Sequence, residues 1–229
     1  MDFPFEERTS DSPFIERIWS TQSTQADAFT SMAVSHVELV VTRRAGQATL
    51  TIRGPETIAT PAPVPADAEF FGITLTLGSH LPVIPTESLV DVHRTLPDAS
   101  RDGFWLHGGR WDLPTFENAE VFISRLARHG LLERDPLVGD VLAGRRTDRS
   151  PRSVQRRFRH ATGLTQGLLL QIERARAALG WLERGSSILD TVERAGYSDQ
   201  PHLTRSLKRY VGRTPAEILR MVIPGTPSA

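Results

Sequence analysis

The sequence contains no cysteine among its 229 residues. Disulfide bonds, thiol nucleophiles and zinc sites with cysteine ligands are therefore excluded. No apolar run approaches the roughly 20 residues of a membrane-spanning helix. The first residues, MDFPFEER, are acidic and so unlike a secretory signal peptide. We expect a cytoplasmic protein with no membrane partner.

Motifs of the common enzyme classes are missing as well. The sequence has no glycine-rich phosphate loop, no nucleophile elbow and no metalloprotease helix. Its seven histidines are dispersed, without the close spacing of metal ligands. A metal-binding β-barrel is the alternative that these histidines leave open. We expect no enzymatic activity, no metal and no cofactor.

Lysine occurs only once, so arginine carries nearly all of the positive charge. Residues 1–142 hold 11 basic and 20 acidic side chains, whereas residues 143–229 hold 16 and 7. The first part therefore has a net charge of −9 and the second part +9. A basic C-terminal part favours an anionic partner such as nucleic acid, with a solvated charged surface as the alternative.

Residues 150–163 predict a short helix with two unlike faces. Ser150 is a good N-cap, and Gly163 is placed to end the helix. The apolar face contains Val154 and Phe158. The opposite face carries Arg152, Gln155, Arg156 and Arg159. Since arginine can bond guanine bidentately and glutamine can bond adenine, this helix suits the major groove of DNA.

A second pair of helices with the same plan is predicted in residues 187–210. Ser187 begins a short helix that ends at Gly196, and Ser198 or Asp199 begins the next helix. The front of that next helix carries Gln200, His202, Thr204, Arg205 and Lys208. Between the two units, an apolar stripe with helical spacing consists of Leu168, Ile172, Ala175, Leu179 and Leu182. We expect a linker helix that fixes the two helix-turn-helix units relative to each other.

These segments resemble the AraC/XylS family of bacterial transcription regulators over about residues 136–220. The resemblance is carried by SPRSVQRRFRHATG, GYSDQPHLTRSLKR and GRTPAEI. It implies a sequence-specific DNA-binding regulator that reads two successive major-groove segments. It also implies base contacts from Arg152, Gln155, Arg156, Gln200, Thr204 and Arg205. We expect phosphate contacts from Ser150, Arg157, Arg159, His202, Lys208 and Arg209.

The N-terminal part is predicted to be rich in β-structure, as a small barrel or a partial jelly roll. Strands are predicted from apolar alternation and β-branched residues at 14–19, 35–42, 47–53 and 69–77. A hairpin turn is expected at 43–46, a loop or edge segment at the proline-rich 60–66, and a short helix at 86–96. The fold class is therefore α+β, with an all-α C-terminal domain. The predicted division is a sensor domain 1–105, a linker 106–112 and a DNA-binding domain 113–229.

Operator DNA is the expected partner, which would associate the protein with the nucleoid. The layout suggests a small-molecule effector bound among the strands at 35–42, 47–53 and 69–77. RNA polymerase and a second copy of the chain are further partners that the resemblance leaves open. The alternative is an architectural or co-regulator DNA-binding protein whose N-terminal domain mediates dimerisation rather than ligand sensing.

Overall fold

The computed structural model describes residues 5–222. Residues 1–4 and 223–229, the ends of the two expected domains, lie outside the described residues. Contacts divide the chain into two units, each assembled from separate stretches. Unit 1 contains the chain up to Ala28, His36–Pro55 and Pro63–Gln166. Unit 2 contains Phe29–Ser35, Glu56–Ala62 and the chain from Gly167 onward.

The N-terminal part is rich in β-structure, as predicted. Its strands are β1 Phe5–Arg8, β2 Ile15–Ser23, β3 Asp27–Ser31, β4 Glu38–Arg44, β5 Gln47–Arg53, β6 Thr60–Val64, β7 Ala68–Leu75, β8 Ser79–His80, β9 His93–Thr95, β10 Asp98–Ser100, β11 Gly103–Leu106 and β12 Gly109–Asp112; β13 Glu133–Arg134 follows the first α-helix. Six of these strands form an antiparallel sheet in the order β1-β2-β7-β4-β5-β9.

The core of unit 1 lies against one face of this sheet. Ile18, Leu39 and Ile73 are directly opposite one another on adjacent strands, and each is at most 1 % exposed. Towards one end of the sheet the same face continues through Phe71 and Val41, which are also buried. Alternation of buried and exposed side chains along β5 follows from the two-residue period of a half-buried strand.

The hairpin predicted at 43–46 is confirmed. β4 and β5 pair up to Arg44 and Gln47, and the two turn residues, Ala45 and Gly46, have φ angles of 49° and 75°. Two positive φ angles define the hairpin turn whose twist matches that of the flanking strands.

The proline-rich segment forms an edge strand, one of the two alternatives predicted for it. Strand β6 pairs with β3 in a two-stranded sheet, where proline is tolerated because few backbone donors are needed. One other local prediction differs from the structure. The helix predicted at 86–96 is wrong: a 3-10 helix, Thr86–Leu89, is followed by extended backbone and by β9, which pairs with β5. Residues 98–112 form the sheet β10-β11-β12, and buried Trp111 anchors β12 in the core.

The C-terminal part is helical, as predicted. Its helices are α1 Ala119–Arg128, α2 Pro136–Leu142, α3 Pro151–Thr162, α4 Gln166–Glu183, α5 Ile188–Arg194, α6 Gln200–Tyr210 and α7 Pro215–Val222. α2 with α3, and α5 with α6, are the two predicted helix-turn-helix units, and α4 is the linker helix. Along α4 the buried side of the stripe contains Leu169 instead of Leu168, which is half-buried. Within residues 5–222, no helix is both long enough and apolar enough to cross a membrane.

Candidate nucleic-acid interface

The first helix-turn-helix unit is held by side-chain caps at each helix start. Asp135 accepts a hydrogen bond from the Leu137 amide at 3.0 Å and so caps α2. Ser150 accepts from the Ser153 amide at 3.3 Å and caps α3. α3 ends at Gly163, whose φ of 73° is the left-handed conformation that favours glycine.

Within unit 1, the apolar face of α3 is buried and its polar face is exposed to solvent. Phe158 is 2 % exposed. Arg152, Gln155 and Arg156 are exposed, and within residues 5–222 no hydrogen bond or ion pair restrains their side chains. The three side chains predicted to contact bases on this helix are therefore available to a partner.

The other two arginines of α3 have intramolecular partners. Arg157 donates from Nε to Oδ2 of Asp135 at 2.5 Å, and this carboxylate raises the pKa of Arg157. Because Asp135 also caps α2, this bond ties the two helices of the unit together. Arg159 lies 3.4 Å from the carboxylate of Glu87 on the 3-10 helix. Each guanidinium keeps further donors, so these ion pairs are compatible with the predicted phosphate contacts. Those contacts stay predictions.

α3 also rests on the N-terminal polypeptide at two places. The His160 ring packs edge-on against the buried His80 of β8, with centroids 5.5 Å apart. A Cβ added at Gly163 would lie 2.9 Å from Cγ2 of Val90 and 3.0 Å from the carbonyl oxygen of Thr86. The C-terminal end of α3 is therefore in close contact with the 3-10 helix and the residue that follows it.

The second unit repeats the capping scheme. Ser187 accepts from the Asp190 amide at 3.1 Å, and Asp199 accepts from the His202 amide at 2.7 Å. Pro201 lies in the first turn of α6, where no intrahelical donor is lost. On the apolar side of α6, Leu207 is fully buried.

The front of α6 contains both exposed and partly restrained side chains. Gln200 and Arg205 are exposed without a partner in the described part of the chain, Lys208 is exposed with its charge acting on Glu217, and Thr204 is half-buried. The His202 ring lies against the Tyr197 ring and within 3.1 Å of the Ser198 hydroxyl. Arg209 stacks over the ring of Tyr210, with its Cζ 5.4 Å from the centroid. The phosphate contacts predicted for His202 and Arg209 stay predictions, and both side chains have intramolecular contacts.

Two short segments of the N-terminal polypeptide, residues 29–35 and 56–62, belong to unit 2. We call them the strand clip. They pair with each other through Val34 and Glu56, whose amides and carbonyls exchange hydrogen bonds of 2.9 and 3.0 Å. The clip contacts the end of α6, where the amides of Ala33 and Ala59 donate to the carbonyls of Tyr210 and Arg209. Sequence patterns did not indicate these contacts, because alanine carries no side-chain signal for a backbone hydrogen bond.

A cleft of 530 Å³ opens at one end of the main sheet in unit 1. Its lining includes Val41, Phe71 and Phe116. The Arg8 guanidinium donates to the Phe116 carbonyl at 2.6 Å and lies 5.0 Å from its ring centroid, which fixes the position of that ring. Arg8 also pairs with Glu120 and lowers the pKa of that carboxyl to about 2.

The charged side chains that line this cleft are mainly acidic. Glu6, Glu69 and Glu117 line it together with one arginine, Arg43. That arginine already lies 3.4 Å from the carboxylate of Asp102. Of the predicted effector strands, β4 and β7 line the cleft and β5 does not. Among the described residues, no group of three or more histidine, cysteine, aspartate or glutamate side chains could hold a metal ion.

Comparison with known proteins gives one family match. Residues 144–221 match a family model described as a helix-turn-helix domain. No curated protein matches the sequence. Two solved structures of ToxT from Vibrio cholerae are similar, each over 96 % of this chain and 99 % of that chain. The one bound to (E)-4-(8-methylnaphthalen-1-yl)but-3-enoic acid has 8 % identity and a TM-score of 0.42, and the other has 9 % and 0.39. These similarities are too low to support a functional inference.

Proposed function

We propose that the protein is a DNA-binding transcription regulator, which the match of residues 144–221 to a helix-turn-helix domain supports. The protein reads operator DNA by sequence, with α3 and α6 in two successive major-groove segments. Arg152, Gln155 and Arg156 contact bases in one segment. Gln200, Thr204 and Arg205 contact bases in the other.

The observation that supports this assignment best is the contrast between neighbouring side chains of α3. Arg156 and Gln155 extend into solvent without a partner among the described residues, although an arginine next to them, Arg157, is bonded to a carboxylate. Base reading needs donors that are not already committed, because displacing an internal ion pair would cost part of the binding energy. In the first turn of this helix Pro151 has no amide and the Ser153 amide is bonded to Ser150, which leaves the Arg152 amide to donate to a phosphate.

Selection of bound fragments from genomic DNA by the full-length protein tests this function. We expect enrichment of a bipartite site whose two halves lie about 10 base pairs apart, one helical turn. Affinity should fall steeply between low and moderate salt, because basic side chains displace condensed counterions. Binding without any enriched sequence would instead favour the architectural alternative.

We further propose that the cleft in unit 1 binds a small-molecule effector. Its lining combines apolar side chains, among them Phe71 and Phe116, with three carboxylates and one arginine that already has a partner. This arrangement favours a ligand with an apolar body and a cationic head. RNA polymerase and a second copy of the chain, the further partners that the resemblance leaves open, are not part of this proposal.

Calorimetric titration with an aromatic amine and with the matching carboxylic acid tests the ligand class. We expect binding of the amine only, and weaker binding to the Glu69→Gln variant. If the ligand changes the affinity for operator DNA by some factor, operator DNA must change the affinity for the ligand by the same factor. Equal affinity with and without operator would show a ligand site that has no regulatory role.

A further inference from the structure

We propose that the strand clip positions α6, so that residues 29–35 and 56–62 determine how well the second half of the operator is read. The proposal rests on the proposed function, in which α6 contacts bases. It concerns contacts inside unit 2 only. It assigns a DNA-positioning role to residues that lie far from the helix-turn-helix domain in sequence.

The clip satisfies backbone groups that a helix end leaves open. The last carbonyls of an α-helix have no partner within the helix. In α6, the Arg209 carbonyl accepts from the Ala59 amide at 2.8 Å, and the Tyr210 carbonyl accepts from the Ala33 amide at 2.7 Å. Each of the two clip segments therefore contributes one donor, and these donors fix the position of the last turn of α6.

Side chains of the linker helix α4 bind both the strand clip and Tyr210 at the end of α6. The Ser35 hydroxyl donates to the carboxylate of Glu173, and Arg176 donates to the Ala33 carbonyl at 3.5 Å. The Tyr210 hydroxyl donates to Oε1 of Gln171 at 2.7 Å. Tyr210 is thus held by α4 through its side chain and by the clip through its backbone.

The fit between the clip and the chain after α6 is also close. A Cβ added at Gly212 would lie 2.6 Å from Cγ2 of Thr30 and 3.3 Å from Cβ of Ala59. Gly212 has a φ of 82°, so glycine is required there by both backbone conformation and space. Met32 packs against the apolar cluster of unit 2, which includes Leu203 and Leu207 from the back of α6. A shift of the clip would therefore displace the helix that carries Arg205.

Substitutions at Ala59 test the role with a matched pair of variants. Ala59→Pro removes the donor to Arg209, whereas Ala59→Gly keeps it. Both full-length variants are titrated against the selected operator, against operator with the α6 half scrambled and against operator with the α3 half scrambled. We expect Ala59→Pro to bind the intact operator about three- to tenfold more weakly, the range for loss of one net hydrogen bond. The defect should disappear when the α6 half is scrambled, and Ala59→Gly should stay close to wild type.

Other outcomes would overturn the proposal or the function beneath it. Equal affinities of the two variants on all three DNAs would overturn the clip role, and so would losses shared equally by both half-sites, which indicate general destabilisation. Failure of the wild-type protein to prefer any DNA sequence would instead contradict the proposed function.

Should Ala59→Pro not fold, hydrogen exchange on the wild-type chain decides the question. The amides of residues 33 and 59 should exchange as slowly as those of α6, and more slowly still with operator bound. Fast exchange at both amides, unchanged by operator, would overturn the proposal.

Discussion

Replacing Arg156 and Arg157 by alanine, one at a time, should separate DNA reading from domain stability, although the two residues are neighbours on α3. Arg156 is exposed and has no partner within the described residues. Arg157 is bonded to Asp135, which is itself the N-cap of α2. We therefore expect Arg156→Ala to weaken DNA binding at unchanged stability. Arg157→Ala should lower stability and affect DNA binding mainly through α3 placement.

The magnitudes follow from the surroundings of each side chain. A good bidentate base contact is worth about 1–3 kcal/mol, so Arg156→Ala should weaken operator binding by roughly 5- to 150-fold. An exposed substitution of this kind changes the free energy of unfolding by less than about 0.5 kcal/mol. For Arg157, a charge-assisted hydrogen bond is worth about 1.5–3 kcal/mol when well buried. The Arg157 side chain is 39 % exposed, which reduces the expected loss to about 1 kcal/mol.

Fluorescence anisotropy with labelled operator measures the affinities, and urea unfolding of the full-length proteins measures the stabilities. Arg157→Lys is a useful control, because lysine keeps the charge but lacks the planar fork of donors. It should restore part of the stability. The reasoning is refuted if Arg157→Ala lowers affinity more than Arg156→Ala while the free energy of unfolding stays unchanged.

Three further predictions concern separate parts of the chain. Arg205→Ala should relax base preference in the operator half that Arg156→Ala leaves intact, and footprints in which both variants lose the same base pairs would contradict two-groove reading. Gly163→Ala should destabilise the protein by more than about 1 kcal/mol in urea unfolding, because it combines a left-handed φ with a Cβ placed 2.9–3.0 Å from neighbouring atoms. Arg8 lowers the pKa of Glu120 from its ordinary value of 4.5 to about 2, so this stabilisation is complete above pH 4.5 and is lost as the pH falls towards 2. Glu120→Gln should flatten the measured stability across that window, and an unchanged slope would show that the pair contributes nothing.

Helix starts were well predicted from the sequence because their signals are local. Ser150 and Ser187 each accept a hydrogen bond from the amide three residues later. Of the two caps considered for α6, the structure selects Asp199. The hairpin at Ala45 and Gly46 was predictable for the same reason, since a turn depends on a few adjacent residues.

Long-range contacts were not predictable because the residues involved have no distinctive pattern. Ala33 and Ala59 bind the end of α6 through backbone amides, which every residue except proline has. The helix predicted at 86–96 failed for a related reason. Its apolar spacing fitted a helix, but β9 finds a strand partner in β5, and tertiary pairing overrides a weak local preference.

Helices α3 and α6 each contact N-terminal polypeptide, although composition alone separates an acidic first part from a basic second part. α3 rests on the 3-10 helix Thr86–Leu89 and on β8, and the end of α6 is bonded to the clip. We therefore expect the charge division to serve the approach to DNA, and the contacts of α3 in unit 1 and of α6 in unit 2 to set how well each half-site is read.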